Sequence, residues 1–282
     1  MGRKFNQWLY FWRCLGLIWL NKGEYERQIR NLLLVDYWKL KIMEVLVGRD
    51  RNRREAGFLG HKLSYFDLGT TVRLIEEIFI ENEYKFELRK GKKTILDLGG
   101  NIGLATIYFK LKYPKTEVVV FEPDPAVFAV LEKNIKEFKL RGVTAMKKAV
   151  AGRAGKGWLY MDGEGSGSPS MSLDRDRGGS AKMKVEKVRL SSRVEQTTAA
   201  IKMDIEGEEL EVLAELEKSG KLKTVPVMMI EYHHHIRKNE NKFSKLLRIL
   251  ERNGFGYQIG AEQKPPFRPG DYEDIQVWAY KQ

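Results

Sequence analysis

From Thr94 onward the sequence alternates between short apolar runs and longer amphipathic segments, and this alternation constrains the fold more than any other feature. Five apolar runs are suited to buried strands: Thr94–Leu98, Val118–Phe121, Val143–Val150, Ala199–Met203 and Val225–Glu231. Four other segments have helical spacing: Leu104–Lys112, Ala126–Phe138, Glu208–Lys218 and Lys242–Asn253. Strands that alternate with helices predict a parallel sheet with crossover helices.

The end of the chain should add two strands of a different kind. Phe255–Ile259 and Ile275–Tyr280 flank a proline-rich loop, Lys264–Gly270, and should pair as an antiparallel hairpin. Gly155–Asp162 could form a further strand edge. We therefore predict an α/β, Rossmann-like fold with a mostly parallel seven-stranded sheet and an antiparallel C-terminal hairpin.

Composition changes divide the chain into regions. Residues 1–55 are aromatic and basic, and we expect a helical N-terminal extension there. Residues 56–282 should form one domain, with 56–93 as a lead-in and 94–282 as the Rossmann-like core. The lead-in contains a strand-like run, Lys62–Phe66, and an amphipathic helix around Val72–Ile80, for which Thr70 or Thr71 could be the cap.

Charge and cysteine content restrict the partners and the compartment. The formal net charge of +12 favours an acidic partner, although it could also serve solubility alone. The single cysteine, Cys14, excludes an internal disulfide and a cysteine-built metal site. The most apolar segment, Trp8–Leu20, is shorter than the ~20 residues that cross a bilayer and contains Arg13. We therefore expect a cytoplasmic protein.

A glycine-rich turn, Asp97-Leu98-Gly99-Gly100-Asn101-Ile102-Gly103, follows the first strand of the predicted core and precedes a helix. Glycines allow a tight turn and a close backbone approach, and a helix N-terminus presents unpaired N–H groups to a ligand. A dinucleotide fingerprint would need glycine where Leu98 stands. The pattern D-x-G-x-N-x-G instead resembles the first motif of class I methyltransferases, which implies S-adenosylmethionine as the ligand. Asn101 replaces the middle glycine, and asparagine tolerates a left-handed backbone.

An acidic residue ends the second predicted strand. Glu122 can accept hydrogen bonds from both hydroxyls of a ribose, as in other nucleotide-binding Rossmann folds. Pro123 and Pro125 fix the turn that follows, and Asp124 can cap the next helix. We expect the backbone of Ala149 and Val150, at the end of the third strand, to lie beside the adenine.

The reaction side of the site should lie at the ends of the fourth and fifth strands, in Lys202-Met203-Asp204-Ile205-Glu206 and Glu231-Tyr232-His233. Asp204 is expected to border both the cofactor and the acceptor. A hydroxyl acceptor needs a base or a metal ion, and Asp204, Glu206 and His233 are the candidate bases, with Lys202 beside them. Asp204 and Glu231 could instead hold a divalent cation. Strand alternation prevents His233, His234 and His235 from all binding one ion.

Over roughly residues 56–280 the chain resembles the FkbM family of methyltransferases. The resemblance depends on DLGGNIG at 97–103, FEPDP at 121–125, Asn134, AV at 149–150, KMDIEGEE at 202–209 and IEYH at 230–233. It implies a class I methyltransferase fold, S-adenosylmethionine as donor, and O-methylation of a sugar, a glycan or another small hydroxylated acceptor. It assigns cofactor binding to Asp97, Gly99, Asn101, Gly103 and Glu122, and active-site roles to Asp204 and Glu206.

Two other functions stay open at this point. The +12 charge also permits an RNA ribose 2′-O-methyltransferase, for which Lys202 and Asp204 could serve. The third alternative is a scaffold that binds the cofactor without catalysis. The sequence does not decide the oligomeric state.

Two further segments carry hypotheses. The Gly- and Ser-rich stretch Gly163–Ser180 could be a lid over the acceptor or an uninvolved surface loop. Residues 1–30 combine tryptophans with basic residues, which is typical of helices that lie at a membrane surface. The competing interpretation is a helix that packs on the protein core or on a second subunit.

Overall fold

The computed structural model describes residues 2–20, 23–47, 54–161, 171–175, 179–234, 242–261 and 273–281. The chain forms two compact units. The first contains Met1–Lys85, Ile102–Pro114 and Val130–Arg141, and the second contains Phe86–Asn101, Lys115–Ala129 and Gly142–Gln282. The domain boundary after residue 55, inferred from composition, stays a prediction.

The first unit is mainly helical. Its elements are α1 (Gly2–Leu20), α2 (Arg27–Val47), β1 (Glu55–Phe58), β2 (His61–Ser64), α3 (Leu68–Ile75), a π-helical turn (Glu76–Ile80), α4 (Leu104–Lys112) and the second half of α5 (Pro125–Glu137). β1 and β2 pair as an antiparallel hairpin. The predicted caps of α3 are wrong: Asp67 is the N-cap, because its carboxylate accepts the Thr70 N–H at 2.7 Å.

Buried polar contacts organise this unit. Tyr37 of α2 donates its hydroxyl hydrogen to Glu76 at 2.7 Å. The side chain of Asn134 is fully buried and accepts the Ser64 N–H at 2.9 Å. Its amide donates to the carbonyls of Ser64, at 2.9 Å, and Ile102, at 2.8 Å. One asparagine therefore ties three parts of the sequence together.

The second unit contains a seven-stranded sheet with the strand order β11-β12-β10-β9-β3-β4-β5. Its strands are β3 (Thr94–Leu98), β4 (Glu117–Phe121), β5 (Val143–Met146), β9 (Thr198–Met203), β10 (Val227–His234), β11 (Gly256–Ala261) and β12 (Glu273–Tyr280). All neighbours are parallel except β12, which runs antiparallel to both β10 and β11. The predicted seven strands and the C-terminal hairpin are confirmed.

One face of this sheet is apolar. Leu96 and Leu98 of β3 belong to a core cluster with residues of α6 (Glu209–Lys218) and α7 (Phe243–Arg252). Asp97 lies between these two leucines, and alternation along a strand therefore directs it to the other face. The strand order reverses at β3, which has β4 on one side and β9 on the other. Ligands of open α/β sheets bind beyond the strand ends at such a point.

A smaller sheet follows β5 and corrects one prediction. The apolar run Val143–Val150 is two strands, because β6 (Ala149–Val150) leaves the large sheet and pairs with β8 (Ala181–Val188). β7 (Gly155–Met161), anticipated as a strand edge, pairs antiparallel with β8. Its Leu159 packs in a small apolar cluster with Ala149 and Val185. β8 was not predicted, because its lysines make this half-buried strand look like a solvent-exposed segment.

Two predicted features lie mostly or wholly outside the described residues. Of the proposed lid Gly163–Ser180, the structure describes 171–175 and 179–180, and the proline-rich loop Lys264–Gly270 is not among the described residues. Among the helices that are described, none has the length and apolar character that crossing a bilayer requires.

Candidate active site

The glycine-rich turn after β3 has the backbone geometry that its sequence predicts. The φ angles of Gly99 and Asn101 are +77° and +46°, so both residues are in the left-handed region. The N–H groups of Gly99 and Gly100 both donate to the carbonyl of Phe121, at 3.0 and 2.8 Å. Gly103, with φ +95°, is the N-cap of α4. The turn is therefore fixed by its own backbone bonds to the end of β4.

Glu122 follows β4 and faces this turn. One carboxylate oxygen accepts the N–H of Asn101 at 2.9 Å, and the other accepts the N–H of Asp124 at 2.9 Å. Burial raises the pKa of Glu122 to about 7, although these two N–H groups favour the charged form. Asp124 caps α5, as its position predicts, by accepting the N–H groups of Ala126 and Val127.

A cavity of about 710 Å³, including its solvent-open part, joins the two halves of the predicted site. Eight of the predicted residues line it: Gly99, Asn101, Glu122, Pro123, Ala149, Val150, Asp204 and Glu206. The remaining predicted residues are outside its lining: Asp97, Gly100, Gly103, Lys202, Glu231 and His233. Residues predicted for the cofactor and two of those predicted for the reaction, Asp204 and Glu206, therefore border one space.

An apolar wall of the cavity was not predicted. It consists of Leu159 from β7 together with Met171 and Leu173 from the short described segment 171–175. Ser172, between them, makes two backbone hydrogen bonds with Tyr160, and its hydroxyl donates to the carbonyl of Glu206. Leu159 lies in the predicted strand edge Gly155–Asp162, but no motif indicated Met171 and Leu173 individually, because they belong to a Gly- and Ser-rich stretch without strand periodicity.

Lys202 connects the glycine-rich turn with Asp204. It is buried, and its ammonium group donates to the Gly99 carbonyl at 2.7 Å and to the Asp204 carboxylate at 3.3 Å. Asp97 lies 3.7 Å from the same nitrogen. Burial alone would lower the pKa of Lys202, but the negative charges of Asp204, Asp97 and Glu231 raise it above its usual value. Lys202 and Asp97 thus support the site from below its lining.

His233 lies at the centre of a carboxylate cluster. Its Nδ1 is 2.9 Å from Glu209, and its Nε2 is 3.3 Å from Glu206 and 3.8 Å from Asp204. Burial acts to lower the pKa of His233, but the charges of Glu209, Glu206 and Asp204 raise it to about 10. Asp274 of β12 lies 3.9 Å from Nε2 as well. The side chains of His234 and His235 lie outside the described part of the chain.

Glu209 is the functional candidate that the sequence analysis missed. Glu209 lies in the first turn of α6, where an acidic residue commonly does no more than stabilise the helix N-terminus. In the structure it is buried, and one oxygen accepts the Gly207 N–H at 2.9 Å and also contacts His233. Glu208, its neighbour, instead lies near the Gly152 N–H. Two consecutive acids at a helix start leave open which one turns inward, so the sequence could not separate them.

Among the described residues, two groups of three side chains could hold a metal ion. They are Asp204, Glu206 and His233, and Glu231, His233 and Asp274, with ligand atoms within 4.8 Å of one another in each group. The predicted ligands Asp204 and Glu231 therefore fall into different groups, with His233 common to both. The contact of Nδ1 with a buried carboxylate resembles the outer-shell arrangement of metal-binding histidines.

The strand order with one reversed strand, together with the glycine turn and Glu122 at the switch point, defines a class I methyltransferase fold. A family model described as the methyltransferase FkbM domain matches residues 97–257, more than half of the chain. The chain belongs to this family, and the resemblance seen in the sequence is confirmed.

Individual relatives match this chain either at low sequence identity or over a small part of its length. Methyltransferase sdnD of Sordaria araneosa is 28% identical over 187 residues, which are 54% of this chain and 72% of that protein. Methyltransferase 1 of Beauveria bassiana (strain ARSEF 2860) is 40% identical over 70 residues, 25% of this chain, and the match spans only 28% of that relative. The 31-O-demethyl-FK506 methyltransferase FkbM of Streptomyces tacrolimicus is 33% identical over 86 residues, 29% of this chain and 33% of its own length.

Solved structures also match. The crystal structure of M. jannaschii TYW2 in complex with AdoMet matches with a TM-score of 0.45 and 15% identity, over 81% of this chain and 85% of that one.

Proposed function

We propose that this protein binds S-adenosylmethionine and transfers its methyl group to a hydroxyl of a sugar, a glycan or another small hydroxylated acceptor. The observation that carries the proposal is the single cavity that contains Gly99, Asn101 and Glu122 at one side and Asp204 and Glu206 at the other. Such a cavity can bring a bound donor and an acceptor hydroxyl together, and positioning is the main requirement for attack on an activated sulfonium.

The donor would be held by the residues around Glu122. Its carboxylate already accepts two N–H groups, and each oxygen has a further lone pair for a ribose hydroxyl. Ala149 and Val150 line the cavity where the adenine is expected, and Pro123 lines it beside Glu122. Asp97 and Gly103, which were predicted to bind the cofactor but do not line the cavity, would instead shape the turn.

The chemical step breaks the bond between the sulfonium and the methyl group and forms a bond from that methyl group to the acceptor oxygen. The hydroxyl proton passes to Asp204 or Glu206, both of which border the cavity, and S-adenosylhomocysteine leaves as a neutral thioether. His233 has both carboxylates beside its Nε2, and in this position it orients them. Lys202 orients Asp204 in the same way.

A divalent cation is a second way to activate the hydroxyl, and Asp204, Glu206 and His233 would be its ligands. The ion would take the place of the proton on Nε2, and Glu209 would hold the ring from the other side. Carboxylates with one imidazole suit Mn²⁺ or Mg²⁺. Calorimetric titration of the wild type and of the Glu206→Gln variant with Mn²⁺ tests this role.

RNA ribose methylation remains the second candidate, favoured by the formal charge of +12. The local charge opposes it. Four carboxylates, Asp204, Glu206, Glu209 and Asp274, lie within 4 Å of His233 at the reaction side. A phosphate backbone would be repelled there, whereas a neutral polyhydroxyl acceptor finds hydrogen-bond acceptors.

The experiment combines donor binding with labelled transfer. Calorimetry of the full chain with S-adenosylhomocysteine should give binding heat, and methyl-labelled S-adenosylmethionine should label a small hydroxylated compound in cell extract. Asp204→Asn and Glu206→Gln should each reduce the label at least about 100-fold. Glu217→Gln, which changes a carboxylate paired with Arg252, is the matched control and should label as the wild type does.

Each other outcome has a defined meaning. Absence of binding heat with folded protein rejects the donor assignment. Label in RNA selects the second candidate. Binding without label in any fraction, unchanged by Asp204→Asn, selects a cofactor-binding scaffold.

A further inference from the structure

We propose that α1 and α2 form a surface that binds anionic lipid, so that the protein attaches peripherally to a membrane. The proposal concerns the first structural unit alone and does not depend on the proposed methyl transfer. We define the lipid-binding surface by the exposed apolar side chains of these two helices: Leu9, Trp12, Trp19, Leu20, Val35, Trp38, Val45 and Leu46.

Helix α1 is apolar on two sides. Phe11, Cys14 and Ile18 are buried and form the stripe that packs inward, with Phe11 against the ring of Tyr37 in α2. Trp12 and Trp19 are 60% and 58% exposed and lie seven residues apart, which places them on one side of the helix. A helix that only packs on a core needs the first stripe and would have polar residues in place of the second.

Helix α2 continues the pattern. Trp38 is 50% exposed, although Leu33, Tyr37 and Leu40 already supply a buried face. Of the five tryptophans whose side chains the structure describes, three are therefore at least half exposed on these two helices. Tryptophan has a large apolar body and a polar N–H, and it is enriched where a protein meets the membrane interface.

The charge of the same segment identifies the partner. Residues 1–54 contain 12 Lys and Arg but five Asp and Glu, which gives +7 of the total +12. The sequence of α1 has no acidic residue, and of the four acids between 23 and 47, Asp36 is buried and Glu24 and Glu44 pair with lysines. A segment that combines exposed apolar side chains with a net positive charge is complementary to anionic headgroups over acyl chains.

The test is co-sedimentation of the full-length protein with two kinds of vesicle, at low and at high salt. One kind contains phosphatidylcholine alone, and the other contains phosphatidylcholine with about 30 to 40% phosphatidylglycerol. We expect binding to the anionic vesicles, weaker binding at high salt, and little binding to phosphatidylcholine alone. The double variant Trp12→Ala/Trp19→Ala should bind at least about tenfold more weakly, because two large apolar groups no longer enter the interface.

The matched control is Trp158→Ala, which removes an exposed tryptophan of the second unit and should leave vesicle binding unchanged. Circular dichroism of each variant checks the fold, and light scattering measures the oligomeric state. Equal partitioning of the wild type and the double variant would overturn the proposal. So would a wild-type dimer that ignores vesicles and becomes monomeric in the double variant, because the surface would then be a contact between two copies. Titration with S-adenosylhomocysteine is read separately, so failure here leaves the methyltransferase proposal untouched.

Discussion

The carbonyl oxygen of Asp204 occupies the space in which a side chain at Gly99 would begin. A Cβ on Gly99 would lie 1.8 Å from that oxygen, and the φ of +77° at Gly99 adds backbone strain for any other residue. The ends of β3 and β9 can approach this closely only because position 99 has no side chain. The glycine thus allows the glycine-rich turn and Asp204 to come together.

We therefore predict that Gly99→Ala separates the two strand ends. The free energy of unfolding should fall by about 3 kcal/mol or more, because the clash involves backbone atoms that cannot rotate away. Affinity for S-adenosylhomocysteine should fall as well, by at least about tenfold. Gly91→Ala is the control, since its φ is +81° but nothing lies within 4 Å of the added Cβ, and it should cost about 1 kcal/mol. A similar loss of unfolding free energy in both variants would contradict this prediction, because the backbone would then have relieved the clash.

The pKa of Glu122 predicts pH-dependent cofactor binding. A ribose hydroxyl donates to a carboxylate, so binding favours the ionised form, and the pKa of about 7 leaves most of Glu122 protonated at pH 6. Affinity for S-adenosylhomocysteine should be about tenfold weaker at pH 6 than at pH 8, with proton release on binding. Calorimetry in buffers of different ionisation enthalpy measures both effects.

Glu122→Gln should remove most of this pH dependence, whereas Glu117→Gln, which changes an exposed acid at the start of β4, should retain it. The ligand-free protein should respond to pH in the opposite sense. Because folding raises the pKa of Glu122, its contribution to stability is present below its unfolded value and is lost as the pH rises through about 7. An affinity that is flat between pH 6 and 8 contradicts the assignment of Glu122 to the ribose.

Glu209 is predicted to act through His233. In Glu209→Gln the charge that orients the ring is lost, so labelled methyl transfer should fall by about 10- to 100-fold while affinity for S-adenosylhomocysteine stays within about threefold. Glu208→Gln changes the neighbouring acid, which lies near Gly152, and should retain transfer. Parallel loss of donor affinity in Glu209→Gln would assign Glu209 to the fold and not to the reaction side.

Asn134 should contribute to stability more than a single side chain usually does. Asn134→Ala leaves the N–H of Ser64 and two carbonyls without their partner, at a cost of about 2 to 4 kcal/mol. For a chain of this size the Tm should fall by roughly 5 to 10 °C. Asn31→Ala, an exposed position on α2, should leave the Tm within about 1 °C in the same thermal melt. Equal melting temperatures for the two variants would argue that water replaces the lost bonds.

The strands and eight of the residues that line the cavity at their ends could be predicted because each has a local signal. Thr94–Leu98 is a short apolar run, and Glu122 directly follows a second apolar run, Val118–Phe121. The hydrophobic pattern gave the strands, and the position of the polar residues at the strand ends indicated where the cavity lies. Leu104–Lys112 has the same bounds in the structure as in the prediction. Glycine turns and buried strands are determined mainly by nearby sequence, and this is why those assignments succeeded.

The features that were missed depend on distant partners. The run Val143–Val150 reads as one strand, but β8, more than 30 residues later, pairs with its last two residues. Met171 and Leu173 reach the cavity because Ser172 bonds to Glu206 and Tyr160, and nothing in the local sequence indicates those bonds. Glu209 turns inward because His233 is there to receive it.

The two hydrogen bonds of Lys202 also bear on how this protein could change its acceptor. Its ammonium group is shared between the Gly99 carbonyl and the Asp204 carboxylate, so a substitution of Lys202 would disturb both the glycine-rich turn and Asp204. Leu159, Met171 and Leu173 border the same cavity, but they are apolar and do not link the turn to Asp204 by such hydrogen bonds. Under the proposed function, we therefore expect a change of acceptor to come from substitutions at these three apolar residues, with Lys202 and Asp204 retained.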